Sequence, residues 1–262
     1  MINGTNLNGL KINFMKQYEA VIETIRQLGG IATLGEINQE VFKIEDCEWK
    51  SKTPQASIRR IVRHTPGIYR IKPGLYGLES HRKQLEANGY VVETDENRNS
   101  IEVQEFNHSY YQGLLLTIGN LNGMKTFCPN QDKNKRFASG KLDDLRSLHE
   151  MPHFSYEHFV QRSSTIDVIW FNDRNMPCAL YEVEHSTDIT NSLQKFVDLQ
   201  DFNTRMFIVA DVVRKNEFNH KYAYTAFKDL YINKRVEFLN YNELGKQYEK
   251  IVSCKDIETK II

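Results

Sequence analysis

At 262 residues the chain exceeds the commonest single-domain length, so two compact units are expected. Hydrophobic residues make up 40% and charged residues 26%, which excludes a disordered chain, and no run of about eighteen apolar residues exists to cross a membrane. Lys plus Arg (34) balance Asp plus Glu (34), so a uniformly basic nucleic-acid binder is excluded as well. Met1 to Gly9 is rich in Asn and Gly and lacks a basic stretch leading into an apolar one, so no secretory signal is expected and the protein is assigned to the cytoplasm. Cys47, Cys128, Cys178 and Cys254 form no CxxC pair, which argues against a zinc ribbon or a disulfide framework and for reduced, mostly packed thiols.

The zero net charge conceals a segregation. From Lys50 to Lys83 nine Lys or Arg face the single acid Glu79, whereas Gln84 to Phe106 carries Arg98 against six acids. Such a reversal marks a boundary. It divides the chain into a basic domain at 1–83, an acidic linker or edge segment at 84–106 and a neutral domain at 107–262.

Met15, Tyr18, Val21, Ile22 and Ile25 recur at helical spacing and stop at Gly29-Gly30, which predicts a first helix. Thr33 with Glu36 three residues on is a capping box for a second, with Ile37 and Val41 inward. Thr53-Pro54 opens a third helix running to about His64. On its wheel Ile58, Ile61 and Val62 form the core side, opposite Arg59, Arg60 and Arg63. Gly67 to Lys72 and Leu75 to Leu78, joined by Pro73-Gly74, read as a hairpin with Arg70 and Lys72 outward. Three helices and a hairpin describe a winged helix, whose last helix enters the major groove of double-stranded DNA while the hairpin touches the backbone.

In the second domain His108 to Leu121 predicts a helix and Met124 to Cys128 a strand. The polar loop Pro129 to Gly140 offers Lys133, Lys135 and Arg136 to a DNA backbone. Ile166 to Phe171 and Cys178 to Val183 read as paired central strands, followed by a helix from about Ile189 to Asp201, a strand Met206 to Ala210, a helix through Tyr222 to Leu230 and a strand Val236 to Leu239. The fold class is α/β: a mixed sheet flanked by helices.

Three acids interrupt these apolar strands: Asp167, Glu182 and Glu184. Glu182 and Glu184 are two apart and so share one face of their strand, and pairing with the strand of Asp167 can bring all three together. Carboxylates so placed would repel, and a hard divalent cation such as Mg2+ resolves the conflict while activating water against a phosphodiester.

The stretch Thr53-Pro54-Gln55-Ala56-Ser57-Ile58 with Pro73-Gly74-Leu75-Tyr76-Gly77-Leu78 resembles the HARE type of winged helix, found fused to restriction endonucleases. Asp167, fourteen residues, then Glu182-Val183-Glu184 resembles the PD-(D/E)xK nuclease superfamily, although Ile166 stands at the proline and Glu184 at the lysine position. Tyr181 to Thr187, followed by Gln194 and Lys195, is similar to a restriction-like subgroup that carries this winged helix. The resemblance implies a restriction endonuclease-like fold and a sequence- or modification-sensitive DNA endonuclease. It implies that Asp167 and Glu182 bind Mg2+, that Glu184 binds metal or acts as base, and that Lys195 supplies the missing positive charge. Gln112 and Gln194 are weaker candidates for contacts to the metal or its ligands. The expected DNA contacts are Gln55, Arg59, Arg60, Arg63, Arg70, Lys72, Lys133 and Lys135. A homodimer is compatible with this reading, and no membrane partner is expected.

Two plainer readings compete. Glu182 and Glu184 could lie on the solvent face of an edge strand, and the chain could be a non-catalytic winged-helix regulator on a degenerate nuclease fold. His153 and His158 lack the rest of an HNH motif, and His185, Ser186 and Asp188 are too close in sequence for a serine triad.

Overall fold

The computed structural model describes residues 15–258, so the expectation about Met1 to Gly9 lies outside the described residues. The chain opens with α1 (Gln17–Gln27), β1 (Ile31–Thr33), α2 (Leu34–Glu40), α3 (Pro54–His64), β2 (Ile68–Lys72) and β3 (Leu75–Leu78). The three strands form an antiparallel sheet in the order β1-β3-β2. Thr33 caps α2 as expected: its Oγ1 accepts from Glu36 N, and Glu36 Oε2 accepts from Thr33 N. Thr53 does not cap α3 with its side chain; Pro54 at the first position starts that helix. The strand β1, three residues long, was too short to leave a periodic signal.

The acidic segment is structured. It holds α4 (Arg82–Ala87) and the first turns of α5 (Ile101–Leu121), seven residues earlier than His108. Ser100 caps α5 through Val103 N, and Glu102 sits in its first turn, where negative charge meets the positive end of the helix. After α5 come β4 (Lys125–Phe127), a small hairpin of β5 (Arg136–Phe137) and β6 (Gly140–Lys141) inside the expected polar loop, and α6 (Glu157–Ser163). Then follow β7 (Val168–Phe171), β8 (Pro177–Glu184), α7 (Ile189–Asp198), β9 (Arg205–Ala210), α8 (Lys215–Tyr222), α9 (Lys228–Ile232), β10 (Val236–Asn240) and α10 (Tyr241–Glu258).

The main sheet runs β10-β9-β8-β7-β4, with β8, β9 and β10 parallel and β7 and β4 antiparallel to their neighbours. Strand alternation sorts its side chains onto two faces. Val168, Ala179, Tyr181, Val183, Phe207 and Val209 pack towards α5 and α10; Ile169, Phe171, Leu180, Met206 and Ile208 pack towards α7 and α8. This is the expected mixed α/β sheet flanked by helices. Among the described residues no helix is long and apolar enough to cross a membrane.

One hydrophobic cluster runs without a break from Val21, Ile37 and Ile58 through Tyr76 to Tyr110, Leu114 and Tyr248. The α10 helix makes this join: Tyr248 lies under the β2–β3 turn, and its hydroxyl accepts from Gly35 N at 3.1 Å. Gly74 has φ +82°, and a Cβ there would stand 2.7 Å from the Tyr248 ring, so the turn needs glycine for both conformation and space.

Candidate active site

Asp167 stands one residue before β7, and the register Val168↔Tyr181 sets it opposite Glu182 on β8. Asp167 N donates to Glu182 Oε1 at 3.3 Å, and Asp167 Oδ2 accepts from Val183 N at 2.7 Å. β8 lies between β7 and β9, so Glu182 and Glu184 are 2% and 4% exposed and the reading of a solvent-facing edge strand is overturned. Both acids project to the α7 face, one turn of which answers them. Lys195 Nζ donates to Glu182 Oε1 and Oε2 at 3.0 and 2.8 Å and to Thr165 O at 2.8 Å. Ser192, one turn earlier on α7, donates to Glu182 Oε2 at 2.8 Å and to Glu184 Oε1.

The compensation is incomplete. Burial and then the charge of Asp167 push the Glu182 carboxyl up to about 8, against the pull of Lys195 and Ser192. A site that confines two carboxylates beside one ammonium in this way suits a further cation. Glu184 is engaged elsewhere: its oxygens accept from Ser192 and Thr187, and Arg214 Nη1 lies at 3.9 Å. Gln194 is exposed and points away from Glu182, because Ser192 and Lys195 already occupy the inward side of α7.

On the α5 side of Asp167 a second group converges, joining the expected Gln112 to His108 and Asp132, which sequence patterning did not single out. His108 Nε2 is 3.5 Å from Asp167 Oδ1 and 3.9 Å from Asp132 Oδ2. Gln112, one turn after His108, donates through Nε2 to Asp132 Oδ2 at 2.8 Å and to Asp167 O at 3.3 Å. Lys135 Nζ is 2.6 Å from Asp132 Oδ1. Among the described residues, the compact set of three metal-type donors is His108, Asp132 and Asp167, whose donor atoms all lie within 4.8 Å of one another. Burial alone would lower the His108 pKa, but Asp132 and then Asp167 carry it up to about 9. Burial would raise Asp132, and His108, Lys135 and Gln112 pull it below the usual carboxylate range. For His108 the sequence signal was its i, i+4 spacing to Gln112 on one helix; Asp132 came from a loop with no periodicity.

The expected DNA contacts divide. Arg60 is exposed and Arg59 half-buried on α3. Arg63 and Arg70 both turn to Glu249 of α10, at 2.5 and 3.5 Å. Gln55 is 7% exposed, because it continues the Ile58 and Val62 core stripe of α3 at helical spacing. Lys72 is not outward: a register shift between Arg70 and Lys72 breaks the alternation, and Lys72 is 5% exposed with Nζ 2.7 Å from Glu93 Oε2. Lys133 is half-buried, and Lys135 is held by Asp132.

Residues 90–261 match the family model described as the type II restriction enzyme NmeDI C-terminal domain. The chain belongs to this family. It is 24% identical over 247 residues to the type II restriction enzyme NmeDI of Neisseria meningitidis serogroup C, an alignment covering 77% of this chain and 69% of that protein. No solved structure matches. The matched segment of this chain includes α5, the five-stranded sheet, Asp132, Asp167, Glu182 and Lys195, and starts after the α1–β3 unit.

The raised carboxyl of Glu182 has a thermodynamic signature. The folded chain keeps a proton there that the unfolded chain releases from about 4.5 upward, so its contribution to stability falls as pH climbs from about 4.5 to about 8. The raised His108 loses stabilisation over roughly 6.5 to 9, a background common to both proteins compared. In a chelator, the melting temperature of the wild type is expected to fall more steeply between about pH 4.5 and about pH 6.5 than that of Glu182→Gln. Parallel curves would show that Glu182 is already fully compensated.

Proposed function

We propose that the chain is a restriction or defence endonuclease that hydrolyses phosphodiesters of double-stranded DNA with a divalent cation, Mg2+ in the first instance. Its active site would be of the PD-(D/E)xK type, with Asp167, Glu182 and Lys195 as catalytic residues. The observation that carries this reading is Lys195 Nζ within 3.0 Å of both oxygens of Glu182, on the strand position facing Asp167. Glu184 stands at the position on β8 where the family pattern has lysine, and Lys195, bound to Glu182 from α7, would supply the ammonium instead. With the β5–β6 hairpin and α6 inserted between β4 and β7, the order of α5, the sheet strands β4, β7 and β8, then α7 and the parallel strand β9 supports a restriction endonuclease-like fold. Membership of a type II restriction enzyme family supports the DNA endonuclease activity.

Asp167 and Glu182 would hold the cation, which supplies Lewis-acid charge to the phosphate and lowers the pKa of a bound water. Lys195 gives Glu182 its orientation and places positive charge where negative charge grows on the scissile phosphate. Glu184, tied to Ser192, Thr187 and Arg214, is read as a positioning residue that fixes the Ser192 hydroxyl on Glu182. Release of the Glu182 proton would accompany metal binding.

The α1–β3 unit, with three helices and a three-stranded sheet ending in a hairpin, supports the winged-helix reading and a role in DNA binding. Arg59 and Arg60 are free to meet phosphates, whereas Arg63 and Arg70 would have to leave Glu249 to do so. A regulator without catalysis is the second reading, and the buried acid–lysine pair weighs against it, since nothing in DNA binding alone requires it.

In a plasmid assay with Mg2+, Asp167→Ala and Glu182→Ala are expected to abolish cleavage and Lys195→Ala to slow it by about a hundredfold or more, with mobility-shift binding retained. Cleavage at wild-type rate by any of the three would contradict the assignment. A different measurement tests Glu249. Glu249→Gln frees two arginines, so DNA affinity should rise several-fold and the slope of log K against log salt should steepen by about one to two. An unchanged slope would mean that Arg63 and Arg70 never reach phosphate.

A further inference from the structure

The hydrolytic reading leaves His108 and Asp132 without a task, although each brings a donor atom within 4.8 Å of Asp167. We infer that His108, Asp132 and Asp167 form a second divalent-cation site that takes Mn2+, Co2+ or Zn2+ in preference to Mg2+. This inference goes beyond the nuclease reading and borrows from it only Asp167 as a shared ligand. Ligand atoms bound about 2.0–2.2 Å from a common ion stand roughly 3–3.5 Å apart. The separations of 3.5 and 3.9 Å from His108 Nε2 to the two carboxylates therefore close onto an ion with small side-chain shifts.

The ligands are held in advance. Asp132 is buried, its loop is closed by Asp132 N donating to Pro129 O at 2.9 Å, and Gln112 Nε2 fixes Oδ2. Asp167 spends Oδ2 on Val183 N, which leaves Oδ1 facing His108. A second observation points to a ligand. Gln112 is fully buried between the two carboxylate residues, yet its Oε1 receives no hydrogen bond among the described residues. A buried amide oxygen without a donor is costly, and a cation or a water bound to one gives it a partner. The metal preference follows from the donor set: an imidazole with two carboxylates suits first-row transition ions and zinc, whereas Mg2+ selects oxygen. The ion would displace the proton that His108 carries between the two carboxylates and take over their neutralisation, with Lys135 still offsetting Asp132 on the outer side.

The test counts bound Mn2+ on the full, metal-stripped chain from the loss of the free-ion electron paramagnetic resonance signal. The wild type should take two ions, one of which persists in excess Mg2+. His108→Ala and Asp132→Asn should each lose the Mg2+-resistant ion and keep the other, and Glu182→Gln should do the reverse. Thermal melts establish that each variant is folded, and the Mg2+ competition on the wild type needs no variant at all. A wild type whose Mn2+ is wholly displaced by Mg2+, or a His108→Ala that keeps the resistant ion, would overturn the second site and leave the hydrolytic one intact. Retention of both ions by Glu182→Gln would overturn the hydrolytic site instead.

Discussion

The arrangement depends on burying carboxylates in the middle of a sheet. β8 has neighbours on both edges and α7 covers the face that carries Glu182 and Glu184, so each acid must find its donors within the fold. Removing one partner from such a pair typically costs about 3–5 kcal/mol, because the remaining charge is left uncompensated. This requirement explains why α7 turns Ser192 and Lys195 inward at positions that Leu193 and Phe196 flank with core contacts. It explains equally why Asp167 is tied to the backbone of β8 and why one ammonium is insufficient for the group. A polar cluster that is only part-compensated by its own chain is costly to the fold and useful to a ligand that brings positive charge.

The second constraint is the continuity of the core from the N-terminal unit to the sheet. Tyr248 under the β2–β3 turn and Glu249 on Arg63 and Arg70 belong to consecutive positions of α10, so one helix both packs the hairpin and holds its arginines. The α10 helix begins directly after β10 at the sheet edge, and Tyr241 donates through its hydroxyl to Glu184 O at 3.2 Å. The proposed recognition face and the strand that carries the proposed metal centre are thus joined by a single packed element.

Much of this was legible in the sequence because it rests on local rules. Capping at Thr33, the Pro73-Gly74 turn, the apolar strand of Met206 to Ala210 and the alternation that puts Glu182 and Glu184 on one face all depend on neighbours a few residues apart. The structure supplied what depends on distant ones. His108 and Asp132 meet at Asp167 only through packing of α5 on the end of β7, and no periodicity marks Asp132. Gln55 continued the core stripe of α3 and could have been read as buried; Lys72 could not, since its inward turn follows from a register shift in the hairpin. The α10 helix has a local signal as well, Tyr241, Leu244, Tyr248 and Val252 at helical spacing, beyond the last strand that the sequence analysis assigns. The start of α5 was missed because Ser100 and Glu102 signal a helix by capping and charge, ahead of its apolar stripe.

The central claim is that Lys195 does from α7 what a lysine at position 184 would do from β8. The most direct measurement is the rate of Mg2+-dependent plasmid cleavage by Lys195→Ala alone and combined with Glu184→Lys. The single variant should be nearly inactive, and the double variant should recover a measurable part of the activity, because Glu182 and Glu184 share a strand face and an ammonium at 184 again lies beside Glu182. A double variant as inactive as the single one, folded and still binding DNA, would contradict the equivalence of the two positions.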